Sequence, residues 1–282
     1  MTVFDLPHVE ALIRRSLDED LGSGDLTTRL TVPHGTRARA EITAKEQLIV
    51  AGLPLIRKVC ANCGGGVRVE ECVDEGAPVA PNTIVARLSG SAATLLAAER
   101  VTLNLLQHLS GIATHTADYV NAVAGFGCRI VDTRKTLPGM RTLQKYAVRL
   151  GGGFNHRMRL DDGILIKDNH IVACGGVSGA VMAALAGAPH GIKVEVECGS
   201  LADVREALAA GAEAILLDNM SLEDMRTAVR MVAGRATVEA SGGINLDSVR
   251  EVAETGVHII SVGALTHSVR AVDLSLSLYL DR

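Results

Sequence analysis

Tryptophan is absent from this 282-residue chain, and only three Phe and three Tyr occur. No aromatic platform is therefore available for stacking single-stranded bases. Surplus positive charge is missing too. The formal net charge is −4, whereas nonspecific nucleic-acid binding rests on excess Lys and Arg. No apolar run reaches ~18 residues, so no membrane span is expected. The N-terminus, MTVFDLPHVEALIRRSLDEDLG, has no basic stretch followed by an apolar one. It is not read as a signal peptide, and the cytoplasm is the expected compartment. A disulfide framework is lacking as well. Six cysteines (Cys60, Cys63, Cys72, Cys128, Cys174, Cys198) are scattered, as reduced thiols are. Cys60 and Cys63 form a CxxC, but there is no second pair, and Cys72 is a poor third ligand. Small buried residues near a helix end are the favoured account. No strand is followed by GxGxxG, which argues against a dinucleotide crevice. The stretch VDEGAPVAPNTIVARLSG resembles a biotin- or lipoyl-carrier hammerhead but lacks the modifiable Lys. It is read as a structural hairpin.

What is present is a core of Ala, Val, Leu and Ile within 48% hydrophobic residues, in a chain long enough for two domains. Residues 7–20 carry apolar positions at helical spacing (Val9, Leu12, Ile13, Leu17), with Pro7 suited to a first turn. Residues 36–52 and 67–89 alternate as strands of an antiparallel sheet. Residues 91–124 form a long helix with a leucine face. From 128 onward, apolar strands at 128–132, 164–167, 193–198, 214–218, 236–241 and 258–262 alternate with helices at 140–150, 171–186, 201–210, 221–233 and 246–255. That alternation predicts a parallel sheet covered on both faces. Polar residues at successive strand ends mark the active face of a (β/α) barrel, and the stretch is short of the ~250 residues of a full eightfold one.

Residues 129–167 gather nine Lys/Arg against three Asp, a net of +6, so the remainder sums to −10. Within this cluster, Arg141, Lys145 and Arg149 share a helix face and suit a solvated or neighbour-facing role. Arg134 and Lys135 follow a strand and Lys167 ends one. With His156 and Arg157 they form a cationic set suited to carboxylate or phosphate oxygens. The acidic set is Glu195, Glu197 and Asp218. Glu197 and Asp218 are preferred because they lie nearer the C-terminal strand edge. There they can hold sugar hydroxyls, a divalent cation or a developing positive charge. The third set is backbone. Ser241-Gly242-Gly243 is read as opening a helix after one strand and Gly263 follows the next, as in the phosphate sites of barrels. A sugar phosphate with an acidic co-substrate satisfies all three sets.

The motifs DTRKTLPGMR (132–141), GGGFNHRMRLDDGILIKDNHI (151–171), VEVEC, ILLDNM, EASGGI and SVGALTHS closely resemble quinolinate phosphoribosyltransferase, or nicotinate-nucleotide pyrophosphorylase (carboxylating). EDLGSGDLTT and AERVTLNLLQHLSGIAT match as well, so the resemblance spans essentially the whole chain. It implies an α/β fold: an N-terminal α/β sandwich (1–112, with the linking helix) and an incomplete seven-stranded α/β (TIM-like) barrel (113–282). The last dozen or so residues would return to the N-terminal domain. It further implies a pentosyltransferase of de novo NAD synthesis. Quinolinate and phosphoribosyl pyrophosphate (PRPP) would give nicotinate mononucleotide, pyrophosphate and CO₂ with Mg²⁺, in a homodimer or higher homo-oligomer with shared sites. Arg134, His156, Arg157 and Lys167 would hold the two quinolinate carboxylates, with Thr133 and Lys135 alongside, and Arg100 would reach the partner's site. Glu197 and Asp218 would meet the ribose hydroxyls and the metal, directly or through PRPP. Ser241, Gly242, Gly243 and Gly263 would bind the 5′-phosphate. Lys135, Lys167, Glu197 and Asp218 are the expected catalytic residues. No covalent enzyme nucleophile is needed, which leaves the cysteines as core or near-core residues. Two rivals share the architecture: a ModD-type protein of molybdenum transport loci and a noncatalytic sugar-phosphate sensor. The complete Arg/His/Arg/Lys set favours the quinolinate enzyme.

Overall fold

The computed structural model describes residues 2–280. In chain order they form α1 (Pro7–Leu21), α2 (Leu26–Thr31), β1 (Arg37–Ala44), β2 (Leu48–Ile49), α3 (Leu53–Asn62), β3 (Arg68–Glu71), β4 (Pro78–Val79), β5 (Ile84–Ser91) and α4 (Ala92–Ala122). Then come β6 (Arg129–Val131), α5 (Arg141–Leu150), β7 (Ile164–Ile166), α6 (Asp168–Cys174), α7 (Val177–Gly187), β8 (Val194–Cys198), α8 (Leu201–Ala209), β9 (Ala214–Asp218) and α9 (Leu222–Val232). The chain ends with β10 (Thr237–Ser241), α10 (Val249–Ala253), β11 (Ile259–Ser261), α11 (Ala264–His267) and β12 (Leu274–Leu280). No single helix is long and apolar enough to cross a membrane.

Two compact units result. Among the described residues, one holds 2–116, 136–152 and 266–280; the other holds Ala117–Lys135 and Gly153–Leu265. Beyond the expected return of the last residues, the segment 136–152 also belongs to the first unit. Packing and strand pairing hold the two segments. Helix α5 buries Leu143, Ala147 and Val148, and its Tyr146 meets Phe4 edge-on at 4.9 Å. Strand β12 pairs antiparallel along β1 from Ala44↔Leu274 to Ala38↔Leu280.

The first unit is built on an antiparallel sheet of order β12-β1-β5-β3. Along β1, Ala38, Ala40, Ile42 and Ala44 are buried while Arg39 and Glu41 point the other way. That is the period-two signature of a sheet with one covered face. Helix α1 starts at Pro7, buries Val9, Ile13 and Leu17, and stops at Gly22 with φ +51°. Helix α3, which sequence periodicity did not signal, buries Leu53, Leu55, Ile56, Val59 and Cys60. Each such aliphatic side chain contributes about 1.5–3 kcal/mol when withdrawn from water. The CxxC sits at its end, with Cys63 in the cap position and the Cys60 thiol pushed by burial to about 11.

The second unit contains a parallel sheet of order β6-β11-β10-β9-β8-β7. Six strands are present where seven were expected. The seventh position is occupied by a single parallel bridge, Val131↔Phe154, beside β6. The expected helix at 171–186 is two helices, α6 and α7, bent by 93°. Gly175 and Gly176 at φ +83° and +145° make that break. Outward-facing Val194, Val196, Ile215, Leu217, Val238 and Ile260 are fully buried, alongside Val204, Ala228 and Val232 of the helices.

Close packing sets a test in the first unit. A Cβ on Gly111 would lie 2.3 Å from the Arg270 carbonyl oxygen, while one on Gly187 would meet nothing within 4 Å. Gly111→Ala is expected to destabilise the protein by about 1–3 kcal/mol and Gly187→Ala to be neutral or stabilising. Urea denaturation of both variants measures the difference.

Candidate active site

The inward faces of the strands form layers, because residues in register on neighbouring parallel strands point the same way. Glu195 on β8, Ala214 on β9 and Thr237 on β10 share the lowest layer. Glu197, Leu216 and Glu239 share the next, and Asp218 and Ser241 the one above. The upper layers, with the loops that follow the strands, enclose a cavity of about 510 Å³. Thr133, Arg134, Lys135, His156, Arg157 and Lys167 line it, facing Glu197, Asp218, Ser241, Gly242 and Gly243. Twelve residues assigned from sequence belong to this unit, and eleven of them line this one cavity. The twelfth, Gly263, lies just before α11. Arg100 stands exposed on α4 in the first unit.

Asp132 holds the cationic wall in place. This carboxylate, fully buried, accepts from Asn155 Nδ2 at 2.6 Å and from the His156 backbone N–H at 2.9 Å. Backbone bonds from Asp132 N to Phe154 O and from Phe154 N to Ile130 O complete the join. The segment that carries His156 and Arg157 is thereby fixed alongside β6. Arg157 Nη1 donates to the Gly163 carbonyl at 3.0 Å. Burial, and next the Arg134 guanidinium, hold the Arg157 pKa below the ordinary arginine value, while Glu195 and Asp162 act in the opposite sense. Two guanidiniums in each other's field beside an open cavity make that cavity favourable for an anion. Lys167 extends from the end of β7 and its Nζ lies 3.2 Å from Glu197 Oε2, linking the basic wall to the acidic one.

His156 is oriented differently from a simple carboxylate ligand. Its Nδ1 accepts from the Arg157 backbone N–H at 2.7 Å, so the ring proton sits on Nε2. Nε2 faces Glu195 Oε2 at 3.2 Å and Glu239 Oε2 at 3.7 Å. These three side chains have the donor types of a metal site, but a protonated Nε2 has no lone pair to give. Glu239 is 2% exposed and its Oε1 has no hydrogen-bond partner. Burial first, and the neighbouring Glu195 second, raise its pKa well above the ordinary carboxylate range.

The Gly242-Gly243 loop has φ values of +94° and +61°. A Cβ on Gly242 would fall 2.3 Å from Asn219 Oδ1, so only glycine fits. This loop does not run directly into a helix, contrary to the sequence reading: α10 begins only at Val249. The loop is instead an irregular turn with two left-handed glycines, and Gly263 lies just ahead of the short α11. Asn219, at φ +54°, donates its backbone N–H to the Ser241 carbonyl and its side-chain amide to Asp218 Oδ2. The loops after β9 and β10 are thus tied together.

Two sequence readings change. Lys145 is not on a solvated face: it is 1% exposed within α5, whereas Arg149 is exposed. Glu239 and Asp132 were given no role, although the spacing of Glu239 from Ser241 by two places both on the inner face. Cys198 is buried with its thiol pushed up to about 12, unsuited to act as a nucleophile.

Comparison with known proteins follows this geometry. Residues 112–277 match the model for quinolinate phosphoribosyl transferase, C-terminal domain, and residues 25–110 match the N-terminal domain. The chain is 46% identical over 272 residues to nicotinate-nucleotide pyrophosphorylase [carboxylating] of Mycobacterium leprae, covering 94% of this chain and 95% of that protein. The solved structure of NadC from Streptococcus pyogenes superposes with a TM-score of 0.94 at 40% identity, covering 100% of this chain and 99% of that one. That of the nicotinate-nucleotide pyrophosphorylase from Francisella tularensis gives 0.92 at 38% identity and 99% coverage of both chains.

Gly242→Ala tests the loop. It should weaken binding of a sugar phosphate by about tenfold or more, the effect of ~1.4 kcal/mol, with melting temperature lowered only modestly. Titration calorimetry with PRPP reads the first and a thermal scan the second.

Proposed function

The chain belongs to the quinolinate phosphoribosyltransferase family, and from that premise we propose that it transfers the phosphoribosyl group of PRPP to quinolinate and decarboxylates the adduct. The products are nicotinate mononucleotide, pyrophosphate and CO₂. One observation carries the reading. A single cavity brings Arg134, Lys135, Arg157 and Lys167 against Glu197, Asp218 and a Gly242-Gly243 loop. Four cations are more than one carboxylate needs. They suit a dicarboxylate and the diphosphate of a second substrate, with the loop left for a 5′-phosphate.

The chemistry follows from these positions. As pyrophosphate leaves C1′, positive charge grows on the sugar, and Glu197 and Asp218 stabilise it. The pyridine nitrogen, aligned by the grip of Arg134, Arg157 and Lys167 on the ring carboxylates, attacks C1′. Orientation supplies much of the rate, since no covalent enzyme intermediate is required. The resulting pyridinium draws electrons from the adjacent C2, so the 2-carboxylate departs as CO₂. Thr133 and Lys135 sit beside the clamp, and Ser241, Gly242, Gly243 and Gly263 hold the 5′-phosphate.

Glu197 and Asp218 offer only carboxylate oxygens, the donor type that Mg²⁺ prefers, and they would hold it directly or through the ribose hydroxyls. When bound, Mg²⁺ neutralises the pyrophosphate leaving group. The proposal also includes a cytoplasmic homodimer, or a larger homo-oligomer, in which the exposed Arg100 completes a partner's site.

Removing a charged hydrogen-bond donor from a bound carboxylate costs about 1.5–3 kcal/mol. Arg134→Ala and Lys167→Ala should each lower kcat/KM for quinolinate by roughly ten- to a hundredfold or more. Circular dichroism spectra should stay unchanged. Near-normal KM and kcat in both variants would overturn the assignment.

A further inference from the structure

The reaction just described needs a proton at C2 of the ring, and the proposed roles of the clamp and of the sugar-facing carboxylates do not supply it. When CO₂ leaves, its bonding electron pair stays on C2 of the ring, next to the pyridinium nitrogen, and C2 must become C–H. Arg134 and Arg157 hold their protons too tightly to donate them. Lys167 is engaged with Glu197. Glu197 and Asp218 act as anions beside the sugar.

Glu239 is the carboxyl of the cavity wall that has no assigned role. It lies in the barrel interior, in the same layer as Glu197 but separated from it by Leu216. The groups that face it are Glu195 from β8, His156 from the loop after Phe154, and Ser261 from β11. One imidazole N–H stands before two carboxyl groups, and it is nearer Glu195 (3.2 Å) than Glu239 (3.7 Å). Glu195 is also the more exposed, at 13% against 2% for the Glu239 side chain. The imidazole N–H is thus directed first at Glu195, while Glu239, almost wholly buried and with Oε1 unpartnered, is the carboxyl whose burial favours the protonated form. Glu239 also borders a second cavity, of about 570 Å³, lined by His156, Glu195 and the beginnings of β8, β9 and β10. This cavity reaches the exposed residues Gly191 and Lys193. One carboxyl thus touches the substrate chamber on one side and a water-accessible chamber on the other.

We infer that Glu239 is the acid that protonates C2 after decarboxylation, and that water in the second cavity returns its proton. The inference rests on the proposed reaction. The C2–carboxylate bond breaks, CO₂ leaves with no electrons from that bond, and the pair on C2 takes the Glu239 proton. Glu239 is left as a carboxylate, and one water-derived proton restores it before the next turnover. His156 and Glu195 are positioning residues: Glu195 takes the nearer place at the imidazole N–H and leaves Glu239 the less satisfied carboxyl.

The test is Glu239→Gln, which keeps shape and hydrogen-bonding capacity but cannot supply the proton. General acids contribute about a hundredfold or more. The Gln variant should lose that much in kcat while KM for quinolinate changes by less than about threefold. In a single turnover it should release pyrophosphate ahead of nicotinate mononucleotide. In the wild type, kcat should fall toward alkaline pH as Glu239 loses its proton, and should slow in D₂O. Both effects should vanish in the Gln variant and return with Glu239→Asp. A Gln variant with wild-type kcat and an intact alkaline limb overturns the inference. If the Gln variant does not fold, the wild-type profile decides, since a kcat without an alkaline limb or a solvent isotope effect overturns it equally. Failure of the reaction itself would look different, because the wild-type chain would then form no CO₂ from quinolinate and PRPP.

Discussion

Everything in the catalytic unit turns on how the segment after Gly153 is held beside β6, and the buried carboxylate of Asp132 does this. A buried anion is tolerated only when its oxygens are satisfied by donors. Here the Asn155 amide and the His156 backbone N–H supply them. Backbone pairing at Phe154 adds only a single bridge. The Asp132 contacts join that bridge in fixing the segment of His156 and Arg157 at the wall. The barrel's seventh position is accordingly a side-chain-anchored loop rather than a strand, and it bears residues that line the cavity.

From that anchor the electrostatics follow layer by layer. The lower layer carries Glu195 and the next Glu197 and Glu239, while the cations enter from the loops above. A parallel sheet covered by helices buries its outward residues completely, so polar groups can collect only on the inside and at the C-terminal ends. The site is the consequence of that sorting. Arg134 and Arg157 repel one another until an anion arrives, and Lys167 bridges to Glu197 across the same space.

The residues that line the cavity could be read from sequence because strand ends announce themselves: DTRK, GILIK and ASGG each place polar or glycine residues directly after an apolar run. Alternation also located Glu197 and Asp218. Residues whose role depends on two segments meeting in space were not legible. Asp132 reads as one more strand-end carboxylate until Asn155 and His156 are seen against it. Glu239 sits within a quoted motif, yet its place beside Glu195 and one shared imidazole appears only when the sheet curls to bring β8 and β10 together. For Lys145 the 141/145/149 spacing left a solvated or a neighbour-facing role open, and tertiary packing decides by burying it. The return of the last residues, seen in β12, was expected from the resemblance, whereas helix α5 joins the first unit through an apolar face that carries no label of its destination.

Direct stoichiometry tests the central claim. Incubation of the chain with quinolinate carrying a labelled 2-carboxylate, PRPP and Mg²⁺ should give CO₂, pyrophosphate and nicotinate mononucleotide in equal amounts, dependent on both substrates. PRPP bound without turnover, or pyrophosphate released without labelled CO₂, would contradict it.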